Sequence, residues 1–315
     1  TLFVLGGNPV YSAPADLGFA EAYKKVAATI HLGTHVDETA ELSTWHIPQS
    51  HYLEAWGDAR SVDGTLSAIQ PLIEPLFQSK SDIELLALIA SGVDARGYDI
   101  VRESWGASIT SLDFESTWRR ALRDGVVADS RTAEVPSLVN AMAVANALRS
   151  ADLPSDKLSS SSMEIVFAVS GATFDGRWAN NGWLQEVPDP ITKLTWDNAA
   201  IVSVGTAEVL GLASGDIVKA GYSGRSMDLP VWIVPGNADN SVTVALGYGR
   251  RSSGSVGTNV GFDANELRTS NAPYFDSGLT LAKTGRSYLF STTQDHGSME
   301  GRPIIREATY EEYKR

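Results

Sequence analysis

The sequence contains no cysteine among its 315 residues. This absence excludes an iron–sulfur cluster held by cysteine, a zinc site built on thiolates and a thiol nucleophile within the chain. A long apolar run is also missing, since no stretch approaches the ~20 apolar residues that cross a bilayer. We therefore expect no direct membrane span.

The sequence also has fewer basic than acidic residues. Lys and Arg number 25 against 38 Asp and Glu, which gives a net charge of −13. Binding to a nucleic-acid backbone requires clustered basic side chains, so no nucleic-acid partner is expected.

The histidines and serines follow no catalytic or metal-binding pattern. His31 and His35 have i,i+4 spacing, but they flank Gly33 at the end of a predicted strand, and no H-E-x-x-H motif is present. The segment 221–226, GYSGRS, lacks the G-x-S-x-G spacing of a hydrolase nucleophile elbow. We predict no metal site and nominate no catalytic residue.

The first half of the chain predicts an α/β domain. The apolar run 2–5 ends in Gly6-Gly7-Asn8-Pro9, a pattern typical of a buried parallel strand entering a tight turn. A helical pattern over 16–28 and a strand pattern over 29–32 follow, and together they indicate a βαβ unit.

Helix signals dominate from 81 to 150. Ser81 and Glu84 have the spacing of a capping box, and Gly92 is a plausible stop. Asp113 is predicted to cap a second helix, and Pro136 is suited to the start of a third.

The second half predicts short strands separated by Gly, Ser, Asn and Asp turns. Ser-rich 152–162 is typical of a linker, and Thr206 is predicted to cap one short helix. We therefore expect an α/β domain with helical additions at 1–155, a β barrel at 160–285 and an extended tail at 286–315. Because the chain begins within a strand, we expect it to be the middle of a longer polypeptide.

Two blocks resemble the third domain of the molybdopterin oxidoreductases, the dimethyl-sulfoxide-reductase superfamily. There a strand ends in a G-x-NP turn, and a "TETA … LP … E … G" segment follows. Here the corresponding residues are Gly6–Pro9, Glu38-Thr39-Ala40, Ile47-Pro48 and Glu54–Gly57. The resemblance implies a Rossmann-like parallel-sheet domain.

A second stretch, 199–220, resembles the fourth, dinucleotide-binding domain of the same superfamily, a six-stranded double-psi barrel. Leu210-Gly211-Leu212 and Gly215-Asp216 match its "LGL..GD" pattern. The amino-acid sequences of segments 45–60 and 171–200 resemble one branch of the superfamily more closely, the B-subunit family of alternative complex III. Members of that branch keep the fold without the cofactor.

The resemblance marks the residues that would border a pterin, and two interpretations of them stay open. They could hold the cofactor, or they could be vestigial, with the Gly6–Pro9 turn purely structural. LSTWHIP (42–48) replaces a smaller family strand, so Trp45 and His46 would fill space that a pterin needs. The vestigial candidates are Gly6, Gly7, Asn8, Glu38, Thr39, Asp175, Arg177, Asn180 and Asn181.

Arg177 also has two possible roles. It could bind a phosphate bidentately, or it could pair with a carboxylate of a neighbouring subunit or domain. Trp178 and Trp183 favour an interface, because Trp and Arg are frequent anchors of buried contacts.

The implied function is that of a cofactor-free segment of an iron–sulfur subunit in a membrane-bound, quinol-oxidising complex. The resemblance implies haem c subunits and integral quinol-binding subunits as partners, a periplasmic location, and iron–sulfur clusters in a downstream domain, with molybdopterin absent. The alternative is part of an active molybdopterin oxidoreductase, such as a polysulfide or thiosulfate reductase. A free-standing binding protein fits poorly with a chain that starts within a strand.

Overall fold

The structure is a computed structural model that describes residues 1–109, 113–150, 158–293, 301–302 and 304–315. The chain divides into two compact units. The first comprises Thr1–Ala13 and Leu17–Pro154, and the second comprises Pro14–Asp16 and Ser155–Arg315. Part of the predicted linker (152–157) and part of the predicted tail (294–300 and 303) lie outside the described residues.

The first unit contains a parallel sheet, a small hairpin and several helices. Its strands are β1 (Leu2–Leu5), β2 (Thr29–Gly33), β3 (Trp45–Pro48), β4 (Gly57–Arg60) and β5 (Leu66–Ile69). Its helices are α1 (Pro9–Ser12), α2 (Phe19–Tyr23), α3 (Glu38–Leu42), α4 (Asp82–Ser91), α5 (Gly97–Ser108), α6 (Phe114–Asp124) and α7 (Ala141–Ser150). Strands β1, β2 and β3 are parallel in that order, and β4 pairs antiparallel with β5.

The helical half of this unit has an aromatic core. Trp105 and Trp118 are fully buried and meet edge to face with ring centroids 5.3 Å apart. Each indole N–H has an acceptor: Asp58 for Trp105 at 2.7 Å and Tyr98 for Trp118 at 3.2 Å. Burial of these two rings therefore leaves neither indole N–H without a hydrogen-bond acceptor.

Several local predictions for the first unit are confirmed and two are wrong. Ser81 and Glu84 form the capping box of α4, and Gly92 ends that helix with φ +72°. The helix expected over 16–28 is instead a 3-10 turn and the short α2, because Gly18 at φ +55° interrupts the helical backbone between them. Helix α7 begins at Ala141 and not near Pro136.

Six of the described strands in the second unit form a closed barrel. The strands of this unit are β6 (Met163–Val169), β7 (Leu194–Thr195), β8 (Ala200–Val202), β9 (Asp216–Tyr222), β10 (Arg225–Ile233), β11 (Ser241–Leu246), β12 (Phe275–Ser287) and β13 (Ser291–Thr292). The barrel order is β10-β8-β11-β6-β12-β9. Its helices are α8 (Gly182–Glu186), α9 (Val204–Leu210), α10 (Gly254–Gly257) and α11 (Tyr310–Tyr313).

Alternation along the strands fills the barrel interior. Met163, Ile165 and Phe167 of β6 are buried, while the residues between them are more exposed. Strand β11 adds Val242 and Val244, as period-two patterning requires. The short helix α9 is capped by Ser203, whose hydroxyl accepts from the Thr206 N–H at 2.9 Å. The predicted cap, Thr206, is thus already inside the helix.

Candidate functional site

The candidate site of the first unit lies where β1 ends. Gly6 and Gly7 adopt φ +68° and +70°, the left-handed region that favours glycine. Asn8 follows them, and Pro9 occupies the first position of α1, where its missing N–H costs no helical hydrogen bond. The turn therefore has a local explanation in backbone geometry.

Asn8 joins this turn to α3, thirty residues further along the chain. Its Nδ2 donates to Glu38 Oε2 at 2.6 Å. Its Oδ1 accepts from the Thr39 N–H at 3.1 Å and from the Thr39 hydroxyl at 2.7 Å. Thr39 Oγ1 also accepts from the Val10 N–H at 3.1 Å. Glu38, only 7% exposed, is thereby given a donor in a buried setting.

We call Gly6, Gly7, Asn8, Glu38 and Thr39 the turn network. The structure brings together these five residues, which are the site candidates that the sequence predicted for the first unit. Glu54 has its own local role, because its carboxylate accepts from the His51 N–H at 2.9 Å and the Leu76 N–H at 3.0 Å. These bonds lower the pKa of Glu54, with the bond to Leu76 first.

A histidine pair beside the turn was missed by the sequence reasoning. The parallel register of β2 and β3 places His31 opposite His46, and their Nδ1 atoms lie 3.3 Å apart. His31 Nε2 lies 3.1 Å from the Gly7 carbonyl oxygen, and His31 Nδ1 lies 3.7 Å from Asp37 Oδ1. The signal that could have found this pair is the register of the two strands. His31 is the third residue of β2 and His46 is the second residue of β3, and these positions face each other in the parallel pair.

The second candidate region is the loop from Phe174 to Glu186, which leads into and includes α8. Asp175 and Arg177 form a bidentate pair, with Nε to Oδ1 at 2.9 Å and Nη2 to Oδ2 at 2.8 Å. Burial raises the pKa of Asp175, but the hydrogen bonds from Arg177 outweigh it, so the pKa is lowered overall. The Arg177 guanidinium also lies over the Phe174 ring at 5.2 Å.

The two asparagines of this loop are structural. Asn180 Oδ1 accepts from the Val256 N–H at 3.1 Å. Asn181 caps α8 by accepting from the N–H groups of Trp183 and Leu184. Both amide oxygens are thus occupied by backbone donors.

The tryptophans of the candidate regions are exposed. Trp183 is 86% exposed, Trp45 is 68% exposed and Trp178 is 46% exposed. The expectation that Trp45 fills space within the first unit is therefore wrong for the described residues of that unit. Each ring lies instead at the surface of its own unit.

Two carboxyl groups in the barrel unit, half-buried Asp263 and buried Asp197, were also missed. Asp263 lines a cleft with Arg251 and Glu266, and burial raises its pKa to about 7 against the bonds it accepts from Asn265. Asp197 accepts from the Tyr288 hydroxyl at 2.8 Å, and burial raises its pKa as well. Their positions depend on the barrel closing, so no local sequence pattern marks them.

Metal and membrane features are absent from the described residues. In that part of the chain, no three His, Asp or Glu side chains converge as a metal site. Over the same residues, no helix has the length and apolar character to cross a membrane.

Comparison with known proteins gives the fold alone. No protein-family model matches the chain, and no curated protein matches it. Acetylene hydratase from Pelobacter acetylenicus is a structural neighbour, with a TM-score of 0.51 and 13% sequence identity. The alignment covers 85% of this chain and 40% of the hydratase chain, so this chain spans well under half of that protein. The likeness supports a molybdopterin-oxidoreductase-like fold.

Proposed function

We propose that this chain is a cofactor-free structural segment of an iron–sulfur subunit in a membrane-bound, quinol-oxidising complex of the alternative complex III type. In this proposal the barrel is a double-psi barrel, and the segment holds a downstream iron–sulfur domain against haem c and integral quinol-binding subunits at the periplasmic face. The segment has no catalytic residue of its own.

The observation that carries the proposal is the internal closure of the turn network. The Asn8 amide bonds to Glu38 and Thr39, so its polar atoms are already used within the fold. A binding site for a pterin would have donors and acceptors directed at the ligand. In the turn network these donors and acceptors bond to one another and join the turn after β1 to α3.

The loop of the second unit supports the proposal in a different way. Arg177 is paired with Asp175, while Trp178 and Trp183 present their rings to solvent. Exposed aromatic side chains beside an arginine are typical anchors of protein interfaces. We therefore assign Arg177, Trp178 and Trp183 to contact with a partner subunit.

The alternative is a segment of an active molybdopterin oxidoreductase. One observation favours it: the structural neighbour, acetylene hydratase, is itself an enzyme. In this alternative the turn network would border a pterin, and Arg177 would exchange Asp175 for a phosphate.

Elemental and pterin analysis of the full-length native protein separates the two functions. Molybdenum and tungsten are measured by elemental mass spectrometry, and pterin by fluorescence after acid oxidation. We expect iron without molybdenum, tungsten or pterin. Near-stoichiometric molybdenum or tungsten together with pterin would overturn the proposal in favour of the enzyme.

A further inference from the structure

A cleft of about 520 Å³ lies on the outer surface of the barrel unit. The β9–β10 hairpin contributes Lys219 and Asp228, which are register partners and alternate with buried residues, so they point outward. The segment after β11 contributes Arg251, Phe262 and Asp263. A volume of this size is typical of sites for small molecules. We call this feature the barrel cleft.

The segment that carries Phe262 and Asp263 is held in place. Buried Asn198 donates from Nδ2 to the Phe262 carbonyl oxygen at 2.9 Å and accepts from the Phe262 N–H at 2.8 Å. Asp263 Oδ1 accepts from the backbone and side-chain N–H groups of Asn265, both at 3.0 Å. Gly249, at φ +70°, lies so close that a Cβ there would overlap the Asp263 nitrogen. This side of the barrel cleft is therefore preorganised for a ligand.

Most charged groups that line the barrel cleft are already paired. Arg251 donates to Glu266 at 2.9 Å, and Asp228 is paired with Arg286. A ligand therefore meets these four side chains as neutral pairs. Their charges do not decide which ligand the cleft takes.

Two polar groups of the barrel cleft remain without a partner. Among the residues that the structure describes, Lys219 Nζ and Asp263 Oδ2 make no hydrogen bond or ion pair, and they do not pair with each other. A basic group and a carboxyl group thus face the same space separately. The complementary ligand carries a negative group for Lys219 and a positive group for Asp263.

The carboxyl group of Asp263 lacks a compensating charge. Burial raises its pKa to about 7, against the hydrogen bonds that it accepts from Asn265. Arg251 acts to lower this pKa, but its guanidinium is paired with Glu266. A cation brought by a ligand would supply the missing charge.

We propose that the barrel cleft binds a free α-amino acid with an apolar side chain. The ammonium group of the amino acid donates to Asp263 Oδ2, and its carboxylate accepts from Lys219 Nζ. Its side chain packs against Met227 and Phe262, two half-buried residues that line the cleft and rest on the barrel core. A ligand with only one of the two charges would leave either Lys219 or Asp263 without a partner.

The first test compares three small molecules on the full 315-residue chain. L-leucine is the probe, isocaproate is the same molecule without the amine, and isoamylamine is the same molecule without the carboxylate. We expect L-leucine to cause saturable ¹H–¹⁵N shift changes at the Gly249, Phe262 and Asp263 amides. Each analogue should bind about tenfold more weakly or worse, because it loses one charge-assisted contact. No saturable change with L-leucine, or equal binding of either analogue, would overturn the proposal.

Variants test the two contacts one at a time. Lys219→Met keeps an apolar stem and removes the ammonium group, and Asp263→Asn keeps the acceptor for Asn265 and removes the charge. Each should weaken L-leucine binding about tenfold or more. The matched control is Lys25→Met, because Lys25 is an exposed lysine of the first unit, and it should bind like the parent chain. Equal affinities of Lys219→Met and Lys25→Met would contradict the proposal. Should either cleft variant fail to fold, the comparison of the three molecules on the parent chain still decides it.

The pH dependence of binding tests the contact with Asp263 separately. The groups that face this carboxyl group are Arg251 and Glu266 beside it, with Lys219 and Asp228 on the hairpin. Because the carboxylate forms as the pH rises through about 7, the affinity of the parent chain for L-leucine should rise over the same range. Asp263→Asn should show no such rise. A flat profile for the parent chain would overturn the contact between the ammonium group and Asp263.

Discussion

The turn network of the first unit and the 174–186 loop of the second unit use polar side chains in opposite ways. Asn8 bonds to residues about thirty positions away and draws buried Glu38 into the fold. Arg177 bonds to a residue two positions away, and the loop leaves its tryptophans in solvent. The first arrangement stabilises tertiary structure, whereas the second keeps a local shape and leaves a surface.

The difference shows that the role of a residue does not follow from its matching a position near the cofactor in the family. In the turn network the polar atoms are consumed by long-range hydrogen bonds, and their loss should be felt as stability. In the 174–186 loop the Arg177 side chain bonds to Asp175, two positions away, and the rings of Trp178 and Trp183 are exposed, so loss of these three side chains should be felt as binding. Stability and binding measurements can therefore separate the two regions.

The largest effect is expected from Asn8→Ala. This change removes the donor to Glu38 and the acceptor for two Thr39 groups, leaving buried polar groups with fewer partners. We expect a loss of about 2–3 kcal/mol in the free energy of unfolding of the first unit. Urea-dependent hydrogen exchange of the β2 and β6 amides measures the two units separately.

The control for Asn8 is Asn181→Ala, which removes only the cap of α8. A lost cap costs about 1 kcal/mol, and the β2 amides should be unaffected. If both alanine variants cost the same, the turn network is no more than a local cap and the comparison fails.

Asp263 tests a half-buried carboxyl group of the barrel unit. Its folded pKa of about 7 lies above the usual 3.8, so the stability that it contributes is present below pH 3.8 and is lost as the pH rises through about 7. Asp263→Asn removes this loss while keeping an acceptor for Asn265. We expect the variant barrel to be more stable than the parent on the order of 2 kcal/mol above pH 7, with no gain near pH 4.

Thermal unfolding of the parent and Asp263→Asn chains across this pH range checks the prediction. A gain that is the same at every pH would assign the effect to packing and not to ionisation.

The smallest effect on stability, and the largest on binding, is expected in the 174–186 loop. Arg177→Glu places two carboxylates side by side, and Trp183→Ala removes an exposed ring. Each should change the free energy of unfolding by less than about 0.5 kcal/mol. Each should weaken assembly with partner subunits about tenfold or more, as loss of an interface anchor does.

Affinity for the partner subunits, measured on the native complex, is the readout. Trp45→Ala is the matched control, because Trp45 is an exposed tryptophan outside this loop. Normal assembly of both loop variants, or an equal loss with Trp45→Ala, would remove the interface assignment.

Local signals in the sequence predicted local structure well. The Ser81–Glu84 capping box and the Gly92 stop need only neighbouring residues, and both are present. The helix expected over 16–28 failed because the apolar spacing ignored Gly18, whose left-handed backbone separates two short turns. Pattern alone could not weigh that interruption.

The candidate site was predictable only in part. A resemblance to a known family was enough to group Asn8, Glu38 and Thr39, which the structure brings together. The contact between His31 and His46 depends on the register of β2 against β3, and the burial of Asp263 depends on barrel closure. Both depend on the tertiary structure, so a short stretch of sequence cannot predict them.

Strand β12 has a consequence for how the barrel is made. It pairs with β6 on one side and with β9 on the other, so the ring of strands stays open until this late segment has left the ribosome. Contacts between residues more than a hundred positions apart form slowly, because the intervening chain must first be ordered. During synthesis the inward-facing apolar side chains of β6 are therefore made before the β12 strand that pairs with it. In this interval the nascent chain most needs protection from aggregation.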